Sequence, residues 1–150
     1  MATIDAPDQL LQVKNLYTQF DTPKGIARAV DGVTFSLDRG KTLGIVGESG
    51  SGKSVLSRTI IDILAKDGSV LYDGEIIFEG RDLRNLSEKE MRDVRGREIA
   101  MVFQDPMSSL NPVKRIGKQI TEVLTKRMGM SLHLAKVRAA ELINSVGIPD

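Results

Sequence analysis

Over the first forty residues apolar and polar side chains alternate, and a period of two marks half-buried strands. LQVKNLYTQF, ending at Phe20, has the Val, Leu, Tyr and Phe content of a strand. DTPKG (21–25) is turn chemistry, and ARAVDGVTFSLDRG then alternates as a second strand ending at Gly40. TLGIVG is a short continuous apolar run, the pattern of a strand covered on both faces. Beyond the glycines the period changes: Val55, Leu56, Thr59, Ile60, Ile63 and Leu64 recur at helical spacing. In DGEIIFEGRDL (73–83), Asp-Gly and Glu-Gly read as turns around a short strand. SEKEMRDVRG predicts a short helix, with Ser87 as N-cap, Glu90 completing a capping box and Gly96 as the stop. EIAMVFQ is another buried strand, DPMSSLNP is a loop bracketed by two prolines, and helices follow at about Ile116–Arg127 and Leu132–Val146. Gly147 and Pro149 close the last helix. Strands come first, then strand and helix alternate, without an internal repeat or an evident linker. That order predicts one α/β unit with an antiparallel portion.

Composition narrows the classes. The 150 residues suffice for one core of ordinary domain size. Lys and Arg number 21 against 20 Asp and Glu, so no bulk basic field points to nucleic acid. Cysteine is absent, which excludes a disulfide framework, a thiolate metal site and a cysteine nucleophile, and fits a reducing compartment. MATIDAPDQL is acidic and lacks an apolar stretch, so it does not read as a secretory leader. With no run near the ~20 apolar residues of a membrane span, the chain is expected to be soluble, or held at a membrane only through a partner.

The stretch that changes the picture is Gly47-Glu48-Ser49-Gly50-Ser51-Gly52-Lys53-Ser54, which satisfies G-x-x-x-x-G-K-[ST] in full. Its glycines admit backbone conformations that a Cβ forbids, so successive N–H groups can turn inward around an anion. The helix that starts near Gly52 points its partial positive charge at the same place. Lys53 would reach the outer phosphates as a point charge, and the Ser54 hydroxyl would ligate Mg²⁺. Chance alone gives such a match in roughly one of a few hundred chains of this length. Here an apolar run precedes the loop and an amphipathic helix follows it, the context the motif demands.

LQVKNL, AVDGVTFSLDRGKTLGIVGESGSGKS and GEIIFEGRDL, in this order, resemble the N-terminal half of an ABC transporter ATP-binding subunit. MVFQDPMSSLNP is similar to the branch that powers peptide, opine and nickel importers. The resemblance implies a P-loop NTPase fold of ABC type, with an antiparallel β portion, part of the parallel core sheet and the start of the helical subdomain. It implies ATP and Mg²⁺ as cofactors, bound by Phe20, Gly47, Glu48, Ser49, Gly50, Ser51, Gly52, Lys53, Ser54 and Val55. Phe20 falls at the family's adenine-stacking aromatic, with Tyr17 as its rival and a core aromatic as the alternative for either. Gln104 falls at the Q-loop glutamine that touches Mg²⁺ and the attacking water, so Gln104 and Lys53 are the catalytic expectations and Ser54 and Gln104 the metal-binding ones. The loop after Gln104 would contact permease subunits, a second ATP-binding subunit would complete the site, and a solute-binding protein would act indirectly. The place implied is the cytoplasmic face of the cell membrane, peripherally. His133, the one histidine, reads as a surface residue, and the six methionines as core filling. The basic cluster Lys114, Arg115 and Lys118 reads as a solvated helix face, with a face beside the membrane subunit as the alternative.

The family's Leu-Ser-Gly-Gly-Gln segment, its apolar strand ending in Asp-Glu and its switch histidine do not occur in these residues. SVLYD and TIID look superficially like the strand, but no glutamate follows either, so Asp62 and Asp73 are decoys. The chain is therefore expected to be the front part of a longer ATPase and catalytically incomplete alone. A non-transport ABC-type ATPase and a nucleotide-binding fragment without turnover are the competing readings.

Overall fold

The computed structural model describes residues 9–105 and 110–148. The alternating stretch closes into a hairpin, β1 (Gln9–Thr22) against β2 (Gly25–Asp38), paired antiparallel from Gln9↔Asp38 to Thr22↔Gly25 around Pro23-Lys24. β3 (Val70–Phe78) pairs with the other edge of β1, and β4 (Arg81–Asp82) adds to β3, giving the order β2-β1-β3-β4. Glu79-Gly80 is the predicted turn: both residues have positive φ, 48° and 76°, as a two-residue hairpin loop of type I′ requires. Asp73-Gly74 is not a turn. It lies inside β3, where the pairing with β1 skips from Lys14↔Glu75 to Tyr17↔Asp73. An Asp-Gly pair signals a reversal only locally; the ladder keeps it inside β3, and β1 bulges opposite Gly74 with Asn15 and Leu16.

Helix α1 (Lys53–Ile60) lies across one face of this sheet. Gly52, its N-cap, meets Ala29 of β2; Thr59 meets Thr18 of β1; and Asp62, just past its end, accepts a hydrogen bond from Tyr72 of β3. Val13, Leu16, Val30, Ile76 and Phe78 of the sheet share a core with Leu56 of α1 and with Leu83, Met91 and Val94. The helical pattern predicts continuation through Ile63 and Leu64, but α1 stops at Ile60. Asp62 turns left-handed, at φ 51°, and Arg95 takes over the terminal carbonyls, donating to those of Ile61 (2.8 Å) and Asp62. A 3₁₀ turn (Leu83–Asn85) leads into α2 (Glu88–Val94). The predicted capping box is present: the Ser87 N–H donates to the Glu90 carboxylate at 2.8 Å and the Ser87 hydroxyl accepts from the Glu90 N–H.

TLGIVG and EIAMVFQ, predicted as buried strands, enter no ladder among the described residues beyond one bridge, Arg95↔Ile99. Val46 is 92% and Val102 95% exposed. A parallel strand exists only through a neighbour on its edge and cover on both faces, and no described segment supplies them. Although the sequence shows no linker, the chain divides after Ile99 into two compact units. In the second, α3 (Ile116–Lys126) packs on α4 (Leu132–Ser145) through Leu124, Ala135 and Ala139, flanked by Ile120 and Met130. Both helices end within one residue of their predicted limits. His133 is exposed, and Met91 and Met130 fill cores, while Met128 is 61% exposed and does not.

Asp62, Lys66, Glu88 and Arg95 form one ionic network joining the end of α1 to the start of α2. Hydrogen bonds from Lys66 and then Arg95 lower the Glu88 carboxyl from 4.5 to about 2. A folded-state value below the unfolded one stabilises above the ordinary carboxylate range and is lost as pH falls through the folded value. Glu88 is half-exposed, so solvent screens the effect and it is small. We predict that urea midpoints fall as pH is lowered from ~5 to ~2 and that Glu88→Gln flattens part of that slope. An unchanged slope in the variant would show that the network contributes nothing.

Candidate functional site: a phosphate-binding loop

The glycine-rich loop joins α1 at a residue under two constraints. Gly52 has φ +88°, in the left-handed region, and a Cβ there would lie 2.1 Å from the Ala29 carbonyl oxygen. Ala29 projects because β2 bulges at that point: Thr18↔Val30 and Gln19↔Arg28 leave it without a partner. Only glycine meets both demands. Gly50 has φ +84° in open space, whereas a Cβ at Gly47 would lie 2.6 Å from the Ser51 Oγ. Inside the loop the Ser51 N–H donates to the Glu48 carbonyl at 3.2 Å.

Lys53 folds back over this loop. Its Nζ donates to the carbonyls of Gly47 (2.8 Å) and Glu48 (2.7 Å) and to the Ser51 Oγ (3.1 Å). No side chain caps α1, so its first N–H groups are left open beside the loop that the Lys53 ammonium spans. That donor set fits an anion, and phosphate oxygens can replace the loop's own acceptors around the ammonium. Ser54 is exposed in the first turn, while Val55 packs half-buried against the core. Glu48 and Ser49 are exposed on the loop. The described residues hold no group of three or more His, Asp or Glu able to bind a metal alone. One hydroxyl at Ser54 suits Mg²⁺, an ion that keeps few protein ligands and takes phosphate oxygens.

A cleft of about 360 Å³ opens beside the loop, between Val30, Asp31 and Val33 of β2 and Ile45, Val46 and Lys53. Neither Phe20 nor Tyr17 lines it. The two rings differ in the face they occupy. Residues 17–20 pair without interruption with β3, so Thr18 and Phe20 share the face that carries α1 and Tyr17 points to the other. There a Cβ at Gly32 would lie 3.0 Å from the Tyr17 hydroxyl oxygen. Of the two rings, only Phe20 is on the loop's side of the sheet.

Gln104 is exposed in the second unit. Residues 106–109, within the loop after Gln104 that is expected to dock, lie outside the described residues, and Leu110 is exposed. Asp62 is not inside the helix but beyond its end, far from Lys53 along the axis, where Lys66 (2.7 Å) and Arg95 (2.9 Å) hold it. The Gly74 N–H and then Arg84 hold Asp73 and lower its carboxyl below the usual range. Sequence reasoning misses Ala29, Thr18 and Thr59, which place the loop and its helix on the sheet. Alternation marks β2 as a strand, but no residue type announces the bulge that turns Ala29 toward Gly52.

Residues 30–150 match the ABC transporter family profile. The oligopeptide transport ATP-binding protein OppD of Bacillus subtilis is 56% identical over 141 residues, covering 94% of this chain and 39% of the relative. The dipeptide transport ATP-binding protein DppD of Lactococcus lactis is 51% identical over 146 residues, covering 97% and 42%. The chain thus spans about two-fifths of these relatives' length. Among solved structures, the ATP-binding cassette MJ0796, a dimer with ADP and Pi, superposes with a TM-score of 0.72 at 22% identity. That match covers 90% of this chain and 56% of the other, and it shows that the fold is that of an ABC-type P-loop NTPase.

The geometry ranks the glycines. Gly50→Ala meets only left-handed strain, about 1–3 kcal/mol, whereas Gly52→Ala meets the same strain and the Ala29 carbonyl. Urea unfolding should therefore show a larger loss for Gly52→Ala. Equal losses would mean that the Ala29 contact does not constrain the loop.

Proposed function

The chain belongs to the ABC transporter family, and we propose that it is the N-terminal part of an ATP-binding subunit that powers import of peptides or related small solutes. The observation that carries the nucleotide site is the Lys53 ammonium centred on Gly47, Glu48 and Ser51 at the uncapped start of α1. The relatives named above, peptide-transport ATP-binding proteins at more than half identity, support the choice of cargo.

In this reading the loop from Gly47 to Val55 wraps the phosphates of ATP, Lys53 neutralises the outer ones and Phe20 stacks on the adenine. Ser54 and Gln104 would hold Mg²⁺, which offsets phosphate charge when bound. Gln104 would also orient the attacking water. The segment after Gln104 would dock on permease subunits at the cytoplasmic face of the membrane. No helix of the described residues is long and apolar enough to cross a membrane. A second ATP-binding subunit would complete the site, and a solute-binding protein would deliver cargo outside. The 150 residues would then be one part of a single ATP-binding domain whose remaining segments provide the water-activating carboxylate.

Lys53→Ala should abolish measurable MgATP binding while leaving the circular dichroism unchanged, because it removes the central cation and no core contact. Ser54→Ala should mainly weaken the Mg²⁺ dependence of binding, since it removes one oxygen ligand and no charge. Equal ATP affinity of the unmodified and Lys53→Ala proteins would refute the phosphate site.

The 150-residue chain by itself should release phosphate from ATP no faster than its Lys53→Ala variant. A positioned acid/base group is typically worth ~10²–10⁴ in rate, and Asp62 and Asp73 already pair with Lys66 and Arg95 and with Arg84. Turnover above that control, persisting through size-exclusion purification, would assign the chemistry to a carboxylate within these residues, Glu48 or Asp73.

A further inference from the structure

α1 crosses the sheet along a single rung. Its N-cap Gly52 abuts Ala29, its Thr59 meets Thr18, and Tyr72, the direct partner of Thr18 on β3, reaches Asp62 past the helix end. Most of the contact is apolar and non-directional, as between Leu56 and Val30. Tyr72 and Arg95 hold the segment past the helix end at its more exposed rim; inside the interface the directional contact is that of Thr18 and Thr59, the buried polar residues among those described, whose hydroxyls lie 2.9 Å apart. Thr59 also donates to the Val55 carbonyl at 2.9 Å, so the Thr18–Thr59 bond takes Thr18 as its donor.

This bond lies between two sites of the proposed nucleotide pocket. Phe20 lies two residues beyond Thr18 on the same face of β1, about 7 Å along the strand. Lys53 lies six residues before Thr59 on α1, about 9 Å along the helix. Apolar packing alone would let the helix slide on the sheet by a fraction of a residue at little cost; a directional bond in a dry interface does not.

We propose that the Thr18–Thr59 hydrogen bond fixes the offset between the Phe20 ring and the phosphate loop, so that it sets how strongly the protein prefers a nucleoside triphosphate over bare triphosphate. The inference rests on the nucleotide-site reading above. Thr18 and Thr59 are positioning residues, since they touch neither base nor phosphate. Slippage of α1 would leave the loop intact, because the loop and Lys53 move with the helix. It would misplace the loop only with respect to a ring on a different element.

The test compares MgATP with Mg²⁺-tripolyphosphate, measured by calorimetry on the full-length protein. Thr18→Val leaves the Thr59 hydroxyl satisfied by Val55, so no buried polar group is orphaned. We expect ATP affinity to fall about fivefold, the factor one neutral hydrogen bond is worth, with tripolyphosphate affinity unchanged within about twofold. Thr18→Ser, which keeps the hydroxyl, should restore the preference for ATP. Equal losses for both ligands, no loss for either, or a Thr18→Ser protein as impaired as Thr18→Val would each overturn the inference. An unmodified protein that binds tripolyphosphate as tightly as ATP refutes the base-stacking role of Phe20 and this inference with it. One that binds neither refutes the phosphate site itself.

Discussion

The approach of Gly52 to the Ala29 carbonyl is the contact on which the arrangement depends, because it joins loop, helix and sheet at one atom pair. The left-handed φ of Gly52 lets the chain leave the loop and start α1 without an intervening residue. The absence of a Cβ lets that start press onto the bulge of β2. A methyl group between the partners would push the start of α1 off the bulge of β2. A loop rich in glycine is thus firmly placed: its freedom is used up by a specific backbone path.

The helix behind the loop is held at points that do not touch the ligand site. Thr59 fastens it to β1, and Arg95 donates to the carbonyls of Ile61 and Asp62 just past its end. Arg95 also pairs with Asp62 and Glu88, so the end of α1 and the start of α2 are set by one guanidinium. With only eight residues, α1 is below the length at which a helix holds itself in water. Its order comes from the sheet and from Arg95, and the uncapped N-terminus stays open to an anion because stability is supplied elsewhere.

Local signals were legible where local chemistry decides the outcome. Ser87 and Glu90 announce α2 through a box whose hydrogen bonds all lie within four residues. The helical periods of α3 and α4 place both helices almost to the residue, and the phosphate motif is a linear pattern of eight. Signals failed where a distant partner decides. Asp73-Gly74 has turn chemistry, yet β1 opposes it and makes a bulge. Ile63 and Leu64 continue a helical period that Asp62 and Arg95 end. TLGIVG and EIAMVFQ carry strand composition, but composition cannot provide a neighbour. The rivalry of Phe20 and Tyr17 was open in sequence because both are aromatic; the register of β1 separates them by face.

The two apolar runs without a ladder bear on how such a chain emerges from a ribosome. The antiparallel sheet, α1 and α2 are built from contacts within the first 99 residues and are free to form as soon as that length has been extruded. Synthesis proceeds at about 5–20 residues per second, so Val46 faces solvent for seconds before Val102 and Phe103 have followed it. Such surfaces are what holding chaperones bind and what aggregation recruits. An apolar run that enters the glycine-rich loop without a ladder leaves the nascent chain vulnerable just after its sheet and α1 have taken shape. Expression yield should therefore depend on elongation rate and chaperone supply more than on the stability of the finished sheet.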